Sequence, residues 1–263
     1  MLLCIDIGNT NIKLGLFEGE QMGSHWRIAT DRTRLADEYA MLLFDLFEAV
    51  SVDIHQVTGC AISSVVPTLT QVFEELSQRY FKQTPLVLGP KTVTGMRINT
   101  DYPAEVGSDL VMNALAARHL YGAPVIVISF GTATAFVAVS SQGDLEGVAI
   151  APGIATSGDS LFHAASTLPQ VALARPSTAI GKNTIQSLQA GFIFGFVGLV
   201  EELVSRIQSE LGGQARVIAT GGLANLIVPE TRVIEAVELD LALIGLRLMF
   251  DLNSPTGKSD SGR

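Results

Sequence analysis

The same local pattern occurs twice in this sequence, once at the N-terminus and once near the midpoint. The first copy has an apolar run at residues 2–6, a Gly/Asn turn at 7–11 and a second apolar run at 12–17. The second copy repeats this order at residues 125–129, 130–134 and 135–139. Two strand-like runs around a glycine turn are typical of a β-hairpin. We interpret the pattern as an internal duplication of an α/β unit, because its spacing is far too long for a solenoid repeat.

Helical and strand patterns occupy the rest of the chain. Apolar residues at helical spacing predict helices over residues 36–50, 68–80, 108–119, 183–211 and 239–250. Shorter apolar runs predict strands over residues 24–29, 57–63, 85–88 and 216–219. The sequence therefore predicts two α/β domains, residues 1–117 and 118–252. A tail at residues 253–263, rich in Ser, Gly, Lys and Asp, is predicted to be disordered.

Composition excludes several classes of protein. Hydrophobic residues make up 48% and charged residues 16% of the 263 residues, so most of the chain can bury a core. A net charge of −9 disfavours nucleic-acid binding, because an acidic surface repels phosphates. Cys4 and Cys60 lie in apolar runs, which indicates buried free thiols. Asp6 interrupts the N-terminal apolar run, and no apolar run is long and uninterrupted enough for a membrane span, so we expect a cytoplasmic protein.

The glycine turns have the chemistry of an anion site. Glycine lets backbone N–H groups approach a phosphate closely, and Thr10 and Lys13 add a hydroxyl and a positive charge. Asp6, at the end of the preceding strand, can hold hydrated Mg²⁺. An ordinary hairpin would explain the first turn equally well. The second copy and a late Thr220-Gly221-Gly222 turn favour nucleotide binding, and the three turns in this order resemble the actin/Hsp70/sugar-kinase superfamily.

That superfamily resemblance implies duplicated ribonuclease-H-like (actin-like ATPase) domains. Each would contain a mixed five-stranded sheet flanked by helices, with a cleft between the two halves. Neither a Walker A motif nor a dinucleotide fingerprint is present, since no Gly-x-x-x-x-Gly-Lys-Ser/Thr occurs and the first turn returns to a strand.

A closer resemblance rests on several longer motifs. They are Asp6-Ile-Gly-Asn-Thr-Asn-Ile-Lys13, Ser63-Ser-Val-Val-Pro67, Glu105-Val-Gly-Ser-Asp109, Phe130-Gly-Thr-Ala-Thr134, Ala151-Pro-Gly-Ile154, Ile180-Gly-Lys-Asn-Thr184 and Ala219-Thr-Gly-Gly-Leu-Ala224. Together they resemble the type III pantothenate kinases over nearly the whole chain to about residue 252. The resemblance implies a homodimer that uses ATP, Mg²⁺ and a monovalent cation (K⁺ or NH₄⁺) to phosphorylate pantothenate, the first step of coenzyme A synthesis.

The resemblance also implies roles for single residues. Asp109 falls on the general base, which would deprotonate the primary hydroxyl of pantothenate for in-line attack on the γ-phosphate. Asp109 alone would otherwise be read as a helix N-terminal carboxylate. The nucleotide positions are Asp6, Gly8, Asn9, Thr10, Asn11, Lys13, Gly131, Thr132, Gly221 and Gly222. The substrate positions are Thr100, Gly107, Ser108, Leu110 and Thr184, and the metal positions are Asp6 and Ser129.

Several positions depart from the family pattern. Leu110 stands where the family has Arg, and Ser129 stands where it has an Asp tied to the monovalent cation. Further departures are Ala135 for Thr, Thr100 for Tyr and Ala164 for Arg. An Arg bonded to a substrate anion contributes about 1.5–3 kcal/mol, so each lost guanidinium could weaken binding or rate at least tenfold. Three hypotheses follow: a pantothenate kinase, a catalytically weakened paralogue that acts as a metabolite-binding or regulatory protein, and a kinase or phosphohydrolase of the same fold with another substrate.

One predicted helix is apolar nearly all round. Between residues 190 and 200 it carries Phe192, Ile193, Phe194, Phe196 and Val197, with small residues at Gly191, Gly195 and Gly198. Such a helix must be buried, either in the core of its own subunit or in a dimer contact. The residues alone leave these two options even, and the family resemblance favours the dimer.

Overall fold

The computed structural model describes residues 1–165 and 167–254. In chain order its strands and helices are β1 (Leu2–Ile7), β2 (Asn11–Glu18), β3 (Gln21–Ala29), α1 (Ala36–Ala49), β4 (Gly59–Ser64), α2 (Pro67–Tyr80), β5 (Leu86–Val87), α3 (Ser108–Tyr121), β6 (Val125–Phe130), β7 (Ala133–Val139), β8 (Leu145–Pro152), α4 (Ile154–Ala164), α5 (Thr184–Glu210), β9 (Arg216–Thr220), α6 (Ala224–Ile227), β10 (Ala236–Val237) and α7 (Leu241–Asn253).

The chain divides into two compact units. The first comprises Met1–Gly95, Ala104–Ala116 and the described residues from Ala242 onward, and the second comprises Met96–Pro103 and Ala117–Leu241. The first sheet has the strand order β3-β2-β1-β4-β5 and the second the order β8-β7-β6-β9-β10. In both sheets the first three strands pair antiparallel and the last three pair parallel. This shared topology confirms the predicted duplication of a mixed five-stranded α/β unit.

Alternation along the central strand of each sheet sets which residues enter the core. In β1, Leu3, Ile5 and Ile7 are fully buried and pack with residues of α1 and α2. Asp6 therefore lies on the opposite face, because side chains alternate along a strand. In β6, Ile126, Ile128 and Phe130 occupy the same positions and pack with residues of α5. Ser129 of β6 is consequently the counterpart of Asp6.

The last helix, α7, belongs to the first unit. The predicted boundary at 117/118 places this helix in the second domain instead. A Cβ atom on Gly245 of α7 would collide with the backbone of Met112 in α3, so the two helices touch closely at a glycine. The side chain of Asn253 bonds to the carbonyl oxygens of Val93 at 2.9 Å and Met249 at 2.8 Å. The prediction of disorder is thus wrong for residue 253, which ends α7, and residues 255–263 of that predicted tail lie outside the described part.

Four elements were not predicted as secondary structure: β8, α4, and the short elements α6 and β10. β8 completes the antiparallel half of the second sheet, and α4 follows it directly. β8 is an edge strand, and all but one of its residues are partly or fully exposed, so it lacks the strong apolar run of a central strand.

The apolar helix α5 has one buried face. Ile193, Val200 and Val204 lie in the core of the second unit. The opposite face carries Gly191, Gly195 and Gly198. Apart from neighbouring residues and nearby backbone of α5 itself, no heavy atom of the described chain would lie within 4 Å of a Cβ placed on any of them. Among the described helices α5 alone is long and apolar enough to cross a membrane, and 39% of its most apolar window is buried within the protein. The core prediction is confirmed for one face, whereas the dimer contact stays a prediction for the other.

Candidate active site

The first glycine turn is closed by backbone hydrogen bonds. The N–H of Gly8 donates to the carbonyl oxygen of Asn11 at 3.0 Å, and the side chains of Asn9 and Thr10 are exposed. The end of β3 supports this turn. The N–H of Thr30 donates to the carbonyl oxygen of Thr10 at 3.0 Å, and the Thr30 hydroxyl donates to that of Gly8 at 2.7 Å. The turn is therefore a fixed loop whose polar side chains face outward, as phosphate binding requires.

Asp6 lies at the head of this turn among polar neighbours. The strand register places it opposite Lys13 of β2 and Ser63 of β4. Burial raises the pKa of Asp6 from its ordinary 3.8 to about 6; Lys13 lowers the pKa, the charge of Asp109 raises it, and a hydrogen bond from Ser63 lowers it. The dependence on Asp109 shows that the two carboxylates are close enough to interact.

Asp109 is the second residue of α3. The carbonyl of Gly107 accepts the N–H groups of Leu110 at 3.0 Å and Val111 at 3.2 Å, which starts the helix. A Cβ atom on Gly107 would lie 2.5 Å from Oδ1 of Asp109, so a side chain there would displace the carboxylate. Burial raises the pKa of Asp109, and backbone N–H groups and Lys13 oppose the rise. The carboxylate interacts with the start of the helix, and its charge acts on Asp6. Its role as the general base stays a prediction.

A pair of hydroxyls connects these elements. The Oγ atoms of Ser63, at the end of β4, and Ser108, at the start of α3, lie 3.2 Å apart. Ser63 is almost completely buried. Because Ser63 also bonds to Asp6, a continuous polar path runs from Asp6 to the residue before Asp109.

The second glycine turn is fixed by the start of α4. The N–H of Gly131 donates to the carbonyl oxygen of Ala133 at 3.0 Å. The carbonyl oxygen of Thr132 accepts the N–H of Gly153 at 3.1 Å and the hydroxyl of Thr156 at 2.7 Å. A Cβ atom on Gly153 would collide with the backbone of the turn. This close contact gives the Ala151-Pro-Gly-Ile154 motif a structural role, and it leaves the side chain of Thr132 exposed.

The third glycine turn packs on the end of β6. Gly221 has φ of +94°, and a Cβ atom there would collide with the backbone of Phe130, so only glycine fits. The turns at Gly131 and Gly221-Gly222 thus lie at the same end of the second sheet. Ser129 sits between them, with Ala135 and Thr220 as its register partners.

The sequence is similar to those of known proteins. A family model described as type III pantothenate kinase matches residues 2–206. A type III pantothenate kinase of Roseiflexus sp. (strain RS-1) is 53% identical over 253 residues, covering 96% of this chain and 99% of that protein. One of Moorella thermoacetica is 49% identical over 254 residues, covering 97% and 100%. The chain belongs to the type III pantothenate kinase family.

A solved structure supports the fold assignment. The inorganic polyphosphate/ATP-glucomannokinase of Arthrobacter sp. strain KM matches with a TM-score of 0.51 at 15% identity, covering 96% of this chain and 99% of that one. The similarity confirms the predicted actin-like, sugar-kinase type of fold. Neither comparison favours a catalytically weakened paralogue over a member of the kinase family.

The implied substrate residues of the family lie in different units. Gly107, Ser108 and Leu110 surround Asp109 in the first unit, whereas Thr100 and Thr184 belong to the second. The Oγ1 atom of Thr100 is buried without a hydrogen-bond partner. Thr184 is exposed at the first turn of α5. The roles that the family resemblance gives these five residues stay predictions.

The oxygen donors of the first unit suit a magnesium ion. No group of three His, Cys, Asp or Glu side chains comes together within the described ranges. Mg²⁺ bound with a nucleotide needs only one or two carboxylates, since phosphates and water complete its octahedron. The raised pKa of Asp6, with Asp109 near it, indicates a place where a cation would relieve electrostatic cost.

The donors around Ser129 suit a cation less well. Its register partners Ala135 and Thr220 carry no charge. The Oγ1 atoms of Thr220 and of Thr134, nearby on β7, are buried without hydrogen-bond partners. Neutral hydroxyl oxygens of this kind coordinate a monovalent cation without balancing its charge.

Two residues near the first turn were not singled out from the sequence. Ser63 belongs to a recognised motif, but its bond to Ser108 joins residues 45 positions apart. Arg32 donates from Nη2 to Oδ1 of Asn9 at 2.9 Å across 23 positions. Neither residue follows from periodicity, because both contacts arise where separate elements meet.

Proposed function

We propose that this protein transfers the γ-phosphate of ATP to the primary hydroxyl of pantothenate. The observation that carries the proposal is Asp109 in the first turn of α3, whose charge raises the pKa of Asp6, in a member of this family. ATP is proposed as the phosphate donor because glycine turns of this type, with Lys13 beside them, provide backbone N–H groups and positive charge for a triphosphate.

Asp109 acts as the general base. Its carboxylate accepts the proton of the attacking hydroxyl while the oxygen forms a bond to the γ-phosphorus. The bond between the γ-phosphorus and the β–γ bridging oxygen breaks, and ADP leaves. A pKa raised by burial brings a carboxylate closer to the operating pH, which favours proton transfer. The hydrogen bonds that start α3 at Gly107 fix the position of this base.

Asp6 and Lys13 together neutralise the negative charge of the nucleotide, Lys13 directly and Asp6 through Mg²⁺. Lys13 lies opposite Asp6 in the strand register, and its positive charge attracts the negative phosphates. Asp6 would hold Mg²⁺, which neutralises phosphate charge and orients the γ-phosphate when it is bound. The nucleotide contact that the family resemblance implies for Thr132 stays a prediction.

A monovalent cation has a minor role in this proposal. The neutral surroundings of Ser129 suggest only weak dependence on K⁺ or NH₄⁺. Turnover measured in potassium, ammonium and sodium chloride at equal ionic strength would test this point. A rise of more than tenfold with K⁺ would contradict it.

The protein is proposed to act as a homodimer in the cytoplasm, where ATP is available. The exposed glycine face of α5 lies on the same helix as Ile185, which is 52% exposed. Burial of such a face against a second copy would remove apolar surface from water. Light scattering of the wild type and of Gly195→Glu tests the dimer, since the longer charged side chain would block close helix contact.

A direct assay tests the activity. Purified protein is mixed with ATP, Mg²⁺ and pantothenate, and 4′-phosphopantothenate is quantified by mass spectrometry together with ADP. Stoichiometric formation of both products supports the proposal. ATP binding without turnover of pantothenate would contradict it and favour a regulatory relative. Complementation of a pantothenate-kinase-deficient strain provides the matching test in cells.

A further inference from the structure

The structure assigns Arg32 to the phosphate-binding surface of the first glycine turn, where it contacts the triphosphate of the nucleotide. This inference deepens the proposed function and rests on it. The contact that places Arg32 is its hydrogen bond from Nη2 to Oδ1 of Asn9, at 2.9 Å. Asn9 is at the tip of the turn between β1 and β2.

The backbone that carries Arg32 is held firmly. Thr30 bonds to both ends of the turn, to the carbonyl oxygens of Gly8 at 2.7 Å and Thr10 at 3.0 Å. The N–H of Asp31 donates to the hydroxyl oxygen of Tyr39 at 3.0 Å, and that hydroxyl donates to the carbonyl oxygen of Asp31 at 2.9 Å. Tyr39 is fully buried, so Arg32 projects from an anchored segment beside the turn.

The charge of Arg32 is available for a ligand. The nearby carboxylate of Asp31 accepts hydrogen bonds from the N–H of Thr33 at 2.9 Å and its hydroxyl at 2.6 Å, and pairs with Arg34 at 3.5 Å. Within the described ranges, no carboxylate pairs with Arg32. A guanidinium has five N–H donors, and the bond to Asn9 uses one of them.

A triphosphate beside two carboxylates needs additional positive charge. Asp6 and Asp109 are two carboxylates near a position proposed for a triphosphate, and Lys13 lowers the pKa of both without offsetting the effect of burial. Guanidinium groups bind phosphate oxygens with paired, charge-assisted hydrogen bonds. Arg32 therefore provides a second positive charge, on the solvent side of the turn.

The test compares Arg32→Ala and Arg32→Lys with Arg34→Ala. Arg34 is a matched control, because it lies in the same segment but pairs with Asp31 and stacks over Tyr39, 5.9 Å from the ring centre. ATP affinity is measured by calorimetry with Mg²⁺, and KM for ATP and kcat by the product assay. We expect Arg32→Ala to raise the Kd and KM for ATP by about tenfold to a hundredfold. The kcat should change less than about twofold, and KM for pantothenate should stay the same.

Further outcomes decide the inference. Arg32→Lys should lose less affinity for ATP than Arg32→Ala, since the ammonium group keeps the positive charge but not the paired N–H donors of the guanidinium. Arg34→Ala should bind ATP like the wild type. Unchanged ATP affinity in Arg32→Ala, or an equal loss in Arg34→Ala, would overturn the inference and leave the proposed function standing. A wild-type protein that binds no ATP would remove the proposed function and this inference together.

Discussion

The hydroxyl oxygens of Ser63 and Ser108 lie 3.2 Å apart and join the end of β4 to the start of α3. Ser63 also bonds to Asp6, so one buried hydroxyl contacts the strand that carries the metal-binding candidate and the helix that carries the base. The contact between Ser63 and Ser108 therefore helps to fix the positions of Asp6 and Asp109.

Replacement of Ser63 by Ala should lower kcat about fivefold, which corresponds to the loss of about 1 kcal/mol of hydrogen bonding. Ser63→Thr keeps a hydroxyl and should retain more of the activity. Ser77→Ala is the control, because Ser77 is also buried and bonds to the carbonyl oxygen of Phe73 at 2.7 Å away from this corner. If Ser77→Ala lowers kcat as much as Ser63→Ala does, the effect is one of general stability.

Replacement of Asp109 by Asn should lower kcat by about 10²–10⁴-fold, because the amide cannot accept the proton of the attacking hydroxyl. ATP affinity, measured by calorimetry, should stay within a few-fold of the wild type. Asp53→Asn is a suitable control, since this exposed carboxylate only accepts the N–H of His55 at 2.9 Å. Activity near the wild-type level in Asp109→Asn would contradict the assignment of the base.

Replacement of Asp6 by Asn should stabilise the metal-free protein above pH 7. The pKa of Asp6 is about 6 in the folded state against an ordinary 3.8, so between these values the folded chain holds a proton that the unfolded chain has lost. The resulting stability is complete below about pH 4 and is lost as pH rises through 6. At about 1.4 kcal/mol per pKa unit, ionised Asp6 costs up to about 3 kcal/mol.

Thermal unfolding in EDTA at pH 7.5 and pH 4 measures this cost. The melting temperature of Asp6→Asn should exceed that of the wild type at pH 7.5, and the difference should shrink at pH 4. A variant less stable than the wild type at pH 7.5 would show that the charged carboxylate is favourably paired in the folded state. The kinase activity of Asp6→Asn should fall regardless of its stability.

The double replacement Leu110→Arg and Ser129→Asp should strengthen pantothenate turnover. The family resemblance places an Arg and an Asp at these positions, and an Arg bonded to the substrate anion would lower KM for pantothenate by about tenfold or more. The single variants separate the two effects, because Leu110→Arg should act on KM and Ser129→Asp on the response to K⁺. Unchanged kinetics in all three variants would show that neither position governs this activity.

Part of this architecture follows from local sequence. The central strands were predicted within one or two residues, because Leu3, Ile5 and Ile7 and their counterparts Ile126, Ile128 and Phe130 belong to short, mostly apolar segments next to glycine turns. The edge strand β8 was missed because all but one of its residues are partly or fully exposed. Helix α7 was assigned to the wrong unit because the prediction divided the chain at one point, whereas the C-terminal segment returns to the first unit.

The sequence by itself determined the duplicated sheets, the three glycine turns, the family and the identity of Asp6 and Asp109 as candidates. These features depend on residue types and on their spacing over a few positions, which can be read directly from the sequence. Only the tertiary structure brought Ser63 to Ser108, Arg32 to Asn9, and Asp109 close enough to Asp6 to raise its pKa. Such contacts join residues far apart in the chain, and their geometry depends on how strands and helices pack, which no local pattern encodes.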